Sequence, residues 1–252
     1  MKPEDALLTY TLRLGDTALV LGQRLVELVA HGPELEEELA NANLALDYIG
    51  QARMFYTHAG KLEGAGRDED DFAYLRDGHQ FTNFLLVEQP NGDFGDTIVR
   101  QVLFETFYLR QLDALTRCSD PGLAEIAARA VKEIRYHLRH VSQWLLRLGD
   151  GTDESHARVQ DSLNRLWRYC GELFAGDEVD ELVRTHYDGP DLPSIREHWE
   201  HQIGALLAEA TLEIPDEPWM SAAGRQGVHT EHLGFLIAEM QFLRRAYPET
   251  TW

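Results

Sequence analysis

Lysine is scarce in this chain, which has three lysines among 252 residues. Asp and Glu together number 43, against 23 Lys and Arg residues. The formal net charge is therefore −20. Binding to duplex nucleic acid or to an anionic membrane surface requires clustered Lys and Arg side chains. The charge balance argues against both functions, so we expect neither a nucleic-acid nor a membrane partner.

Cysteine and long apolar runs are also lacking. Two cysteines, Cys118 and Cys170, do not make the disulfide framework of a secreted protein. No uninterrupted apolar run is long enough to span a bilayer. The N-terminal residues 1–5 include two acidic residues, and the apolar segment of a signal peptide is lacking there. We therefore expect a cytoplasmic protein.

Helical periodicity is the strongest pattern that is present. It predicts long helices over about residues 3–32, 34–61, 96–118 and 120–149, with Asp96 as the N-cap of the third. Shorter helices follow, and no stretch shows the alternation that is typical of a strand. The sequence therefore predicts an all-α fold.

Four long helices followed by shorter ones predict one domain over residues 1–252. We expect an antiparallel bundle core over about residues 4–150 and a helical extension over about residues 151–252. In the second helix the spacing of apolar residues predicts a stripe that faces the core. This stripe consists of Leu35, Leu39, Ala42, Leu46 and Ile49.

Polar residues interrupt the apolar stripes near the middle of the long helices. Asp16 lies in the first helix, Glu105 in the third and His137 in the fourth, while Tyr48 and Gln51 lie three apart in the second. A buried charge is costly unless it is paired or bound to a metal. Ferritin-like di-iron bundles follow this template, since two helices each give a Glu and the other two each give Glu-x-x-His.

The ligand set of that template is incomplete in this sequence. Ile134 stands three residues before His137 in place of a Glu, and the phenol of Tyr48 and the amide of Gln51 replace the pair of the second helix. We therefore predict no catalytic residue, no cofactor site and no metal site in this chain. Instead we expect a structural network of four polar side chains, Asp16, Gln51, Glu105 and His137.

Other interpretations stay open. Glu133 lies four residues before His137 and could serve as its partner or as a displaced ligand. With Glu133 or Asp47 in place of the missing ligands, the chain would be an active di-iron oxygenase or an iron-handling bundle. A standalone helical binding protein is the third interpretation.

The segment His229-Thr230-Glu231-His232 superficially resembles a metal-binding cluster. Its spacing differs from His-Glu-x-x-His, and Thr230 with Glu231 is more typical of a helix start. We therefore expect helix capping or a partner contact here.

Five segments stand out for their likeness to one family. They are TLRLGD at 11–16, NLALDYIGQAR at 43–53, LVEQPNG at 86–92, KEIRYHLR at 132–139 and HTEHLG at 229–234. Together they closely resemble the PaaC family, a subunit of the bacterial ring-1,2-phenylacetyl-CoA epoxidase. The resemblance covers nearly the whole chain and implies a ferritin-like four-helix bundle with additional C-terminal helices.

The resemblance also implies a role as the non-catalytic partner in a multicomponent monooxygenase of aerobic phenylacetate catabolism. A sister subunit of the same fold would carry the di-iron centre, and a reductase subunit would supply electrons from NADPH. The reductase and the small subunits are further candidate partners, and a homodimer of the isolated chain is left open. The resemblance implies that the two Glu-x-x-His pairs of the sister subunit correspond to Tyr48 with Gln51 and to Ile134 with His137 in this chain.

Aromatic residues are candidate anchors for such a partner, because aromatic side chains dominate interface energetics. Core packing explains each of them equally well. The candidates are Trp167, Tyr169, Phe174, Trp199, Trp219 and Trp252.

Overall fold

The computed structural model describes residues 1–29, 31–220 and 223–250. Within these residues it contains α-helices and short 3-10 turns but no β-strand, which confirms the all-α prediction. In the same residues, no helix combines the length and the apolar character needed to cross a bilayer. Trp252, one of the candidate anchors, lies outside the described residues.

The described residues contain ten α-helices. These are α1 (Pro3–Val26), α2 (Leu35–Glu63), α3 (Glu69–Tyr74), α4 (Leu85–Glu88), α5 (Phe94–Leu115), α6 (Pro121–Gly149), α7 (Asp153–Trp167), α8 (Glu178–Tyr187), α9 (Leu192–Glu209) and α10 (Glu231–Ala246). Three 3-10 turns lie at Gly78–Gln80, Cys170–Phe174 and Gly224–Gln226.

The chain gathers into two compact units, which we describe separately. Unit 1 comprises Met1–Pro90 with Ala223–Trp252, and unit 2 comprises Asn91–Ala222. The last helix, α10, therefore groups with α1 to α4 and not with α7 to α9, which precede it. A single domain with a bundle core at 4–150 and an extension at 151–252 stays a prediction.

The long helices α1 and α2 pack along each other in unit 1. Acidic Glu4 and Asp5 lie in the first turn of α1, where they favour the helix dipole. Gly15 permits a close approach between the helices, because a Cβ atom there would lie 2.6 Å from a ring carbon of Tyr56. The apolar residues of α1 are largely buried, as expected for a central helix.

The predicted core stripe of α2 is wrong. Leu35, Leu39 and Leu46 are 66%, 57% and 66% exposed. The helix instead buries a face of mixed character, which consists of Asn41, Leu44, Ala45, Tyr48, Gln51, Ala52, Phe55, Tyr56 and Ala59. A hydrophobicity pattern favours the leucine face because the polar and small residues of the other face add little to it.

The second pair of long helices, α5 and α6, packs together in unit 2. The N-cap of α5 is Asp93, not the predicted Asp96. The Asp93 side chain accepts a hydrogen bond from the Asp96 N–H, and the Asp96 side chain accepts one from the Asp93 N–H, each at 3.1 Å. This is a capping box, in which Asp96 is the second partner. As predicted, α6 begins after Asp120, whose side chain accepts from the Leu123 N–H at 2.8 Å.

Four of the candidate anchor residues form one aromatic cluster inside unit 2. Trp199 is buried, donates its indole N–H to the Leu103 carbonyl at 2.9 Å and lies 5.6 Å from Trp167 between ring centroids. Phe174 stacks on Trp219 at 5.7 Å. These contacts within the chain favour core packing over partner contact for these four residues.

Candidate functional site

Asp16 is fully buried in unit 1, and both of its carboxylate oxygens are occupied. Tyr56 donates its hydroxyl to Oδ1 at 2.6 Å, and Thr82 donates its N–H and its hydroxyl to Oδ2 at 2.8 and 2.9 Å. Arg76 donates to Oδ2 from Nη1 at 3.2 Å and makes a second, shorter contact from Nη2 to Oδ1. The charge of this carboxylate is therefore neutralised by a partner from its own chain.

Arg76 is held in place by more than Asp16. Its Nε donates to the Phe72 carbonyl at 2.7 Å, and Nη1 donates to the Gln80 carbonyl at 3.0 Å. The guanidinium also lies 4.4 Å from the ring centroid of Phe81. Burial disfavours the charge, but the attraction of Asp16 keeps the pKa of Arg76 above its ordinary value. The guanidinium of Arg76 therefore stays charged across the physiological pH range.

Tyr56 is the neutral member of this cluster. Burial, and next the negative charge of Asp16, raise the pKa of Tyr56 well above its ordinary value. The phenol therefore stays protonated and remains a donor to Asp16. On the same helix, the predicted positions Tyr48 and Gln51 are both fully buried.

In unit 2, the structure brings Glu105 of α5 and His137 of α6 together. Both are fully buried, and His137 Nδ1 lies 3.7 Å from Glu105 Oε1. This separation satisfies an ion-pair criterion but is too long for a direct hydrogen bond between the two atoms. Gln101 Nε2 donates to the same oxygen of Glu105 at 3.3 Å. Two members of the predicted network, Glu105 and His137, therefore lie close together, and the network of all four side chains stays a prediction.

One turn before His137, the side chain of α6 is the fully buried, aliphatic Ile134. Its neighbour Glu133 is only half-buried and accepts a hydrogen bond from Arg129 Nε at 3.3 Å. Arg135 and Arg139 on the same helix are exposed. The helix thus buries the polar His137, while Glu133 pairs with the exposed Arg129.

The residues at the template positions do not fit a di-iron centre. Iron sites of this class use carboxylate oxygens and imidazole nitrogens with free lone pairs. Asp16 accepts five hydrogen bonds, one from Tyr56, two from Arg76 and two from Thr82. An aliphatic side chain at 134 supplies no ligand, and the described residues contain no group of three or more His, Cys, Asp or Glu side chains placed to hold a metal ion.

A second buried carboxylate in unit 1 explains the segment that begins at His229. Glu88 is fully buried. Its Oε1 accepts from the N–H and the hydroxyl of Thr230 at 2.7 and 2.8 Å, and its Oε2 accepts from Asn83 Nδ2 at 2.9 Å. Thr230 is the N-cap residue of α10. The helix therefore starts where the sequence predicts, but the Thr230 side chain makes no capping hydrogen bond and donates to Glu88 instead.

His229 is the cationic partner of Glu88. Its Nδ1 lies 2.8 Å from Glu88 Oε2, and its Nε2 lies 2.8 Å from the carbonyl oxygen of Phe81. A carboxylate and a carbonyl only accept, so this geometry suits a ring that donates from both nitrogens, which is an imidazolium. Burial opposes the charge, but the Glu88 hydrogen bond and the Phe81 carbonyl together raise the pKa of His229.

Comparisons with known proteins identify the family of the chain. A family model described as "Phenylacetic acid catabolic protein" matches residues 1–252. The chain belongs to this family. A relative from Escherichia coli (strain K12), whose name makes it a subunit of 1,2-phenylacetyl-CoA epoxidase, is 49% identical over 248 residues, which cover 98% of this chain and 100% of the relative.

Membership of the phenylacetic acid catabolic protein family confirms the resemblance that the five segments indicate. A ferritin-like bundle is consistent with this family. Two of those segments, 86–92 and 229–234, supply the residues that meet in the Glu88 cluster.

Sequence reasoning missed the partners that neutralise the buried carboxylates. Arg76 and Thr82 lie 60 and 66 residues from Asp16, and His229 lies 141 residues from Glu88. No local spacing rule reaches that far. A usable signal was the single Arg76 between the aromatic Phe72 and Phe81, because an arginine among aromatic residues often packs against them.

Proposed function

We propose that this chain is a non-catalytic, structural subunit of a phenylacetyl-CoA epoxidase and that it pairs with a di-iron catalytic subunit. The observation that carries the proposal is the state of Asp16. A carboxylate that is saturated by Arg76, Tyr56 and Thr82 has no lone pair left for a metal. The relative from Escherichia coli, which bears the name of an epoxidase subunit, supports the assignment to such a complex.

The other template positions support the same conclusion. Tyr48, Gln51 and Ile134 are fully buried, so their side chains occupy the core instead of pointing to solvent. An amide is a poor ligand for iron, and an aliphatic group is none. Restoring a di-iron centre would require several simultaneous changes. A structural role needs none of these changes, because the cores are already packed and the buried charge of Asp16 is paired.

The remaining parts of the proposal follow from the complex. The iron belongs to the catalytic subunit, and electrons from NADPH reach it through a reductase subunit, with the reductase and small subunits as further partners. We place the complex in the cytoplasm, since Cys118 and Cys170 are both unpaired and buried, as is usual in a reducing compartment. The strongly acidic composition disfavours a direct role in holding the phosphate groups of CoA.

Metal analysis tests the proposal. The chain is purified alone and together with a di-iron subunit, and iron and phenylacetyl-CoA epoxidation are measured in both samples. We expect iron far below one atom per chain in the isolated protein. The mixed sample should elute as one species at a fixed ratio, with iron at the level of the catalytic subunit alone.

Two results would contradict the proposal. About two irons per isolated chain, retained through gel filtration, would favour an active di-iron oxygenase or an iron-handling bundle with displaced ligands. Separate elution of this chain beside a competent di-iron subunit would instead favour a standalone binding protein.

A further inference from the structure

One face of α2 is apolar and exposed, which is unusual for the long helix of a well-packed unit. Leu35, Leu39 and Leu46 are 66%, 57% and 66% exposed, and Ala42 between them is half-buried. We call these four residues the α2 seam. Past the seam, a Cβ atom on Gly50 would meet nothing within 4 Å, so the same side of the helix stays open for one more turn.

The α2 seam is not needed to hold unit 1 together. The helix already buries another face, which carries Leu44, Tyr48 and Phe55, against the rest of the unit. Exposed leucines in a row cost solubility without stabilising the chain that carries them. A contiguous apolar stripe of this kind therefore marks an interaction surface.

The spacing of the α2 seam identifies the kind of element that covers it. The steps between its residues are four, three and four positions, which is the alternation of the a and d positions of a heptad. That narrow stripe is the seam along which another helix packs at a small crossing angle. From Leu35 to Leu46 the rise is about 16 Å, so the partner helix must present about three turns.

The charged residues beside the α2 seam indicate which kind of helix packs on it. Glu36 and Glu38 lie on the two sides of Leu39, at the positions that flank a heptad seam. No Lys or Arg occurs from Pro33 to Ala52. A second copy of α2 would bring acids against acids in either orientation, and the net charge of −20 adds to this repulsion. A helix with basic flanking residues would form ion pairs instead.

We propose that the α2 seam is the docking surface for the catalytic partner subunit, and that it receives an apolar helix face of that subunit flanked by Arg or Lys side chains. This rests on the proposed function, because the partner is the one named there. The leucines supply the apolar contact, and Glu36 and Glu38 select a basic partner and disfavour self-association.

The test measures the affinity of the full chain for the di-iron subunit. The double variant Leu39→Glu/Leu46→Glu places charge in the α2 seam, and we expect it to raise the Kd at least 100-fold. The control is Leu75→Glu, the same kind of substitution at a leucine that is 51% exposed and lies outside the seam, and it should change the Kd less than threefold. Circular dichroism and thermal unfolding check that all variants are folded.

A second variant tests the charge argument. Glu36→Lys/Glu38→Lys reverses the flanking charges and should weaken binding about tenfold at low salt, with a smaller difference at high salt. An unchanged Kd for this variant at both salt concentrations would overturn the basic partner face.

The outcomes separate this proposal from the one on which it rests. If the wild-type chain does not bind the di-iron subunit, both proposals fail. If it binds and the seam variant binds equally well, the subunit role stands and the α2 seam is overturned as the docking surface. The docking surface would also be overturned if Phe235→Glu on α10 abolished binding while Leu39→Glu/Leu46→Glu left binding unchanged. A homodimer of the wild-type chain that dissociates in the Leu39→Glu/Leu46→Glu variant would overturn it as well.

Discussion

The two units solve the problem of a buried carboxylate differently. In unit 1, Asp16 accepts hydrogen bonds from Tyr56, Arg76 and Thr82, and the guanidinium of Arg76 supplies a permanent countercharge. In unit 2, Glu105 faces the imidazole of His137 across 3.7 Å. The first arrangement is a saturated ion pair, and the second is a looser contact that is too long for a direct hydrogen bond.

The difference shows two ways in which side chains of the chain surround a buried carboxylate. A cation brought in from outside the long helices, as Arg76 is, neutralises the charge and ties the α3 region to α1. A histidine on the neighbouring helix, as His137 is, lies near its carboxylate without a direct hydrogen bond. Removal of one partner from the saturated pair should therefore be the more damaging change.

The largest effect is expected for Arg76→Met. This change leaves Asp16 buried and without its countercharge, so the free energy of unfolding should fall by about 3–5 kcal/mol. Urea denaturation followed by circular dichroism measures it. The control is Arg53→Met, which removes an exposed arginine paired with Glu69 at 2.9 Å and should cost about 0–1 kcal/mol. Equal losses for the two variants would show that the Asp16 pair is not special.

His137→Ala is expected to come next, with a loss of about 2–3 kcal/mol, because it opens a cavity and removes the partner of Glu105. In the assembled enzyme the chemical step should be unaffected. Thermal unfolding and turnover of the reconstituted complex are measured side by side, with His140→Ala, one turn away and half-buried, as the control. Normal stability and assembly combined with lost turnover would contradict the structural role of His137.

A smaller effect is expected for Thr82→Val. This change removes the hydroxyl donor to Asp16 but keeps the backbone N–H donor of residue 82, so we expect a loss of about 1 kcal/mol. Thr57→Val is the matched control, since the Thr57 hydroxyl donates to a backbone carbonyl at an exposed position. Chemical denaturation resolves the difference. A loss as large as that of Arg76→Met would mean that the hydroxyl, and not the guanidinium, holds Asp16.

The smallest effect is local and depends on pH. The pKa of His229 is raised in the folded chain, so its imidazolium contributes stability below the unfolded-state pKa of about 6.5. That contribution disappears as the pH rises through the folded-state pKa. Hydrogen exchange of peptides from α10, corrected for intrinsic rates, should show protection that falls with rising pH.

His229→Gln should abolish this pH dependence, because a neutral amide does not titrate. His186→Gln, at an exposed position of α8, should leave it unchanged. Protection of α10 that rises with pH, or that is the same in the wild type and His229→Gln at every pH, would argue against the Glu88–His229 pair as the element that fixes α10.

Most of the helices could be predicted from the sequence. The start of α6 after Asp120 and the extent of α2 follow from capping residues and periodicity, which are local. The error at the start of α5 has a simple origin. Asp93 and Asp96 are both good N-cap residues, and only the reciprocal hydrogen bonds decide between them.

The candidate site was predictable only in part. Residue identity was enough to recognise that Ile134, Tyr48 and Gln51 break the di-iron template. The juxtaposition of Glu105 with His137 followed from two helix stripes that face each other. The partners of Asp16 could not be predicted, because Arg76 and Thr82 approach it from a segment that has no periodic pattern of its own.

The sequence alone determined the all-α class, the broken ligand set and the acidic charge, since each depends on residue type or on spacing within one helix. Tertiary structure alone decided which face of α2 is buried and which side chain neutralises Asp16. Both depend on packing between segments that are far apart in the chain. In α2, polar and aromatic residues such as Gln51 and Tyr56 are buried, while the leucines that the hydrophobic pattern assigns to the core remain exposed.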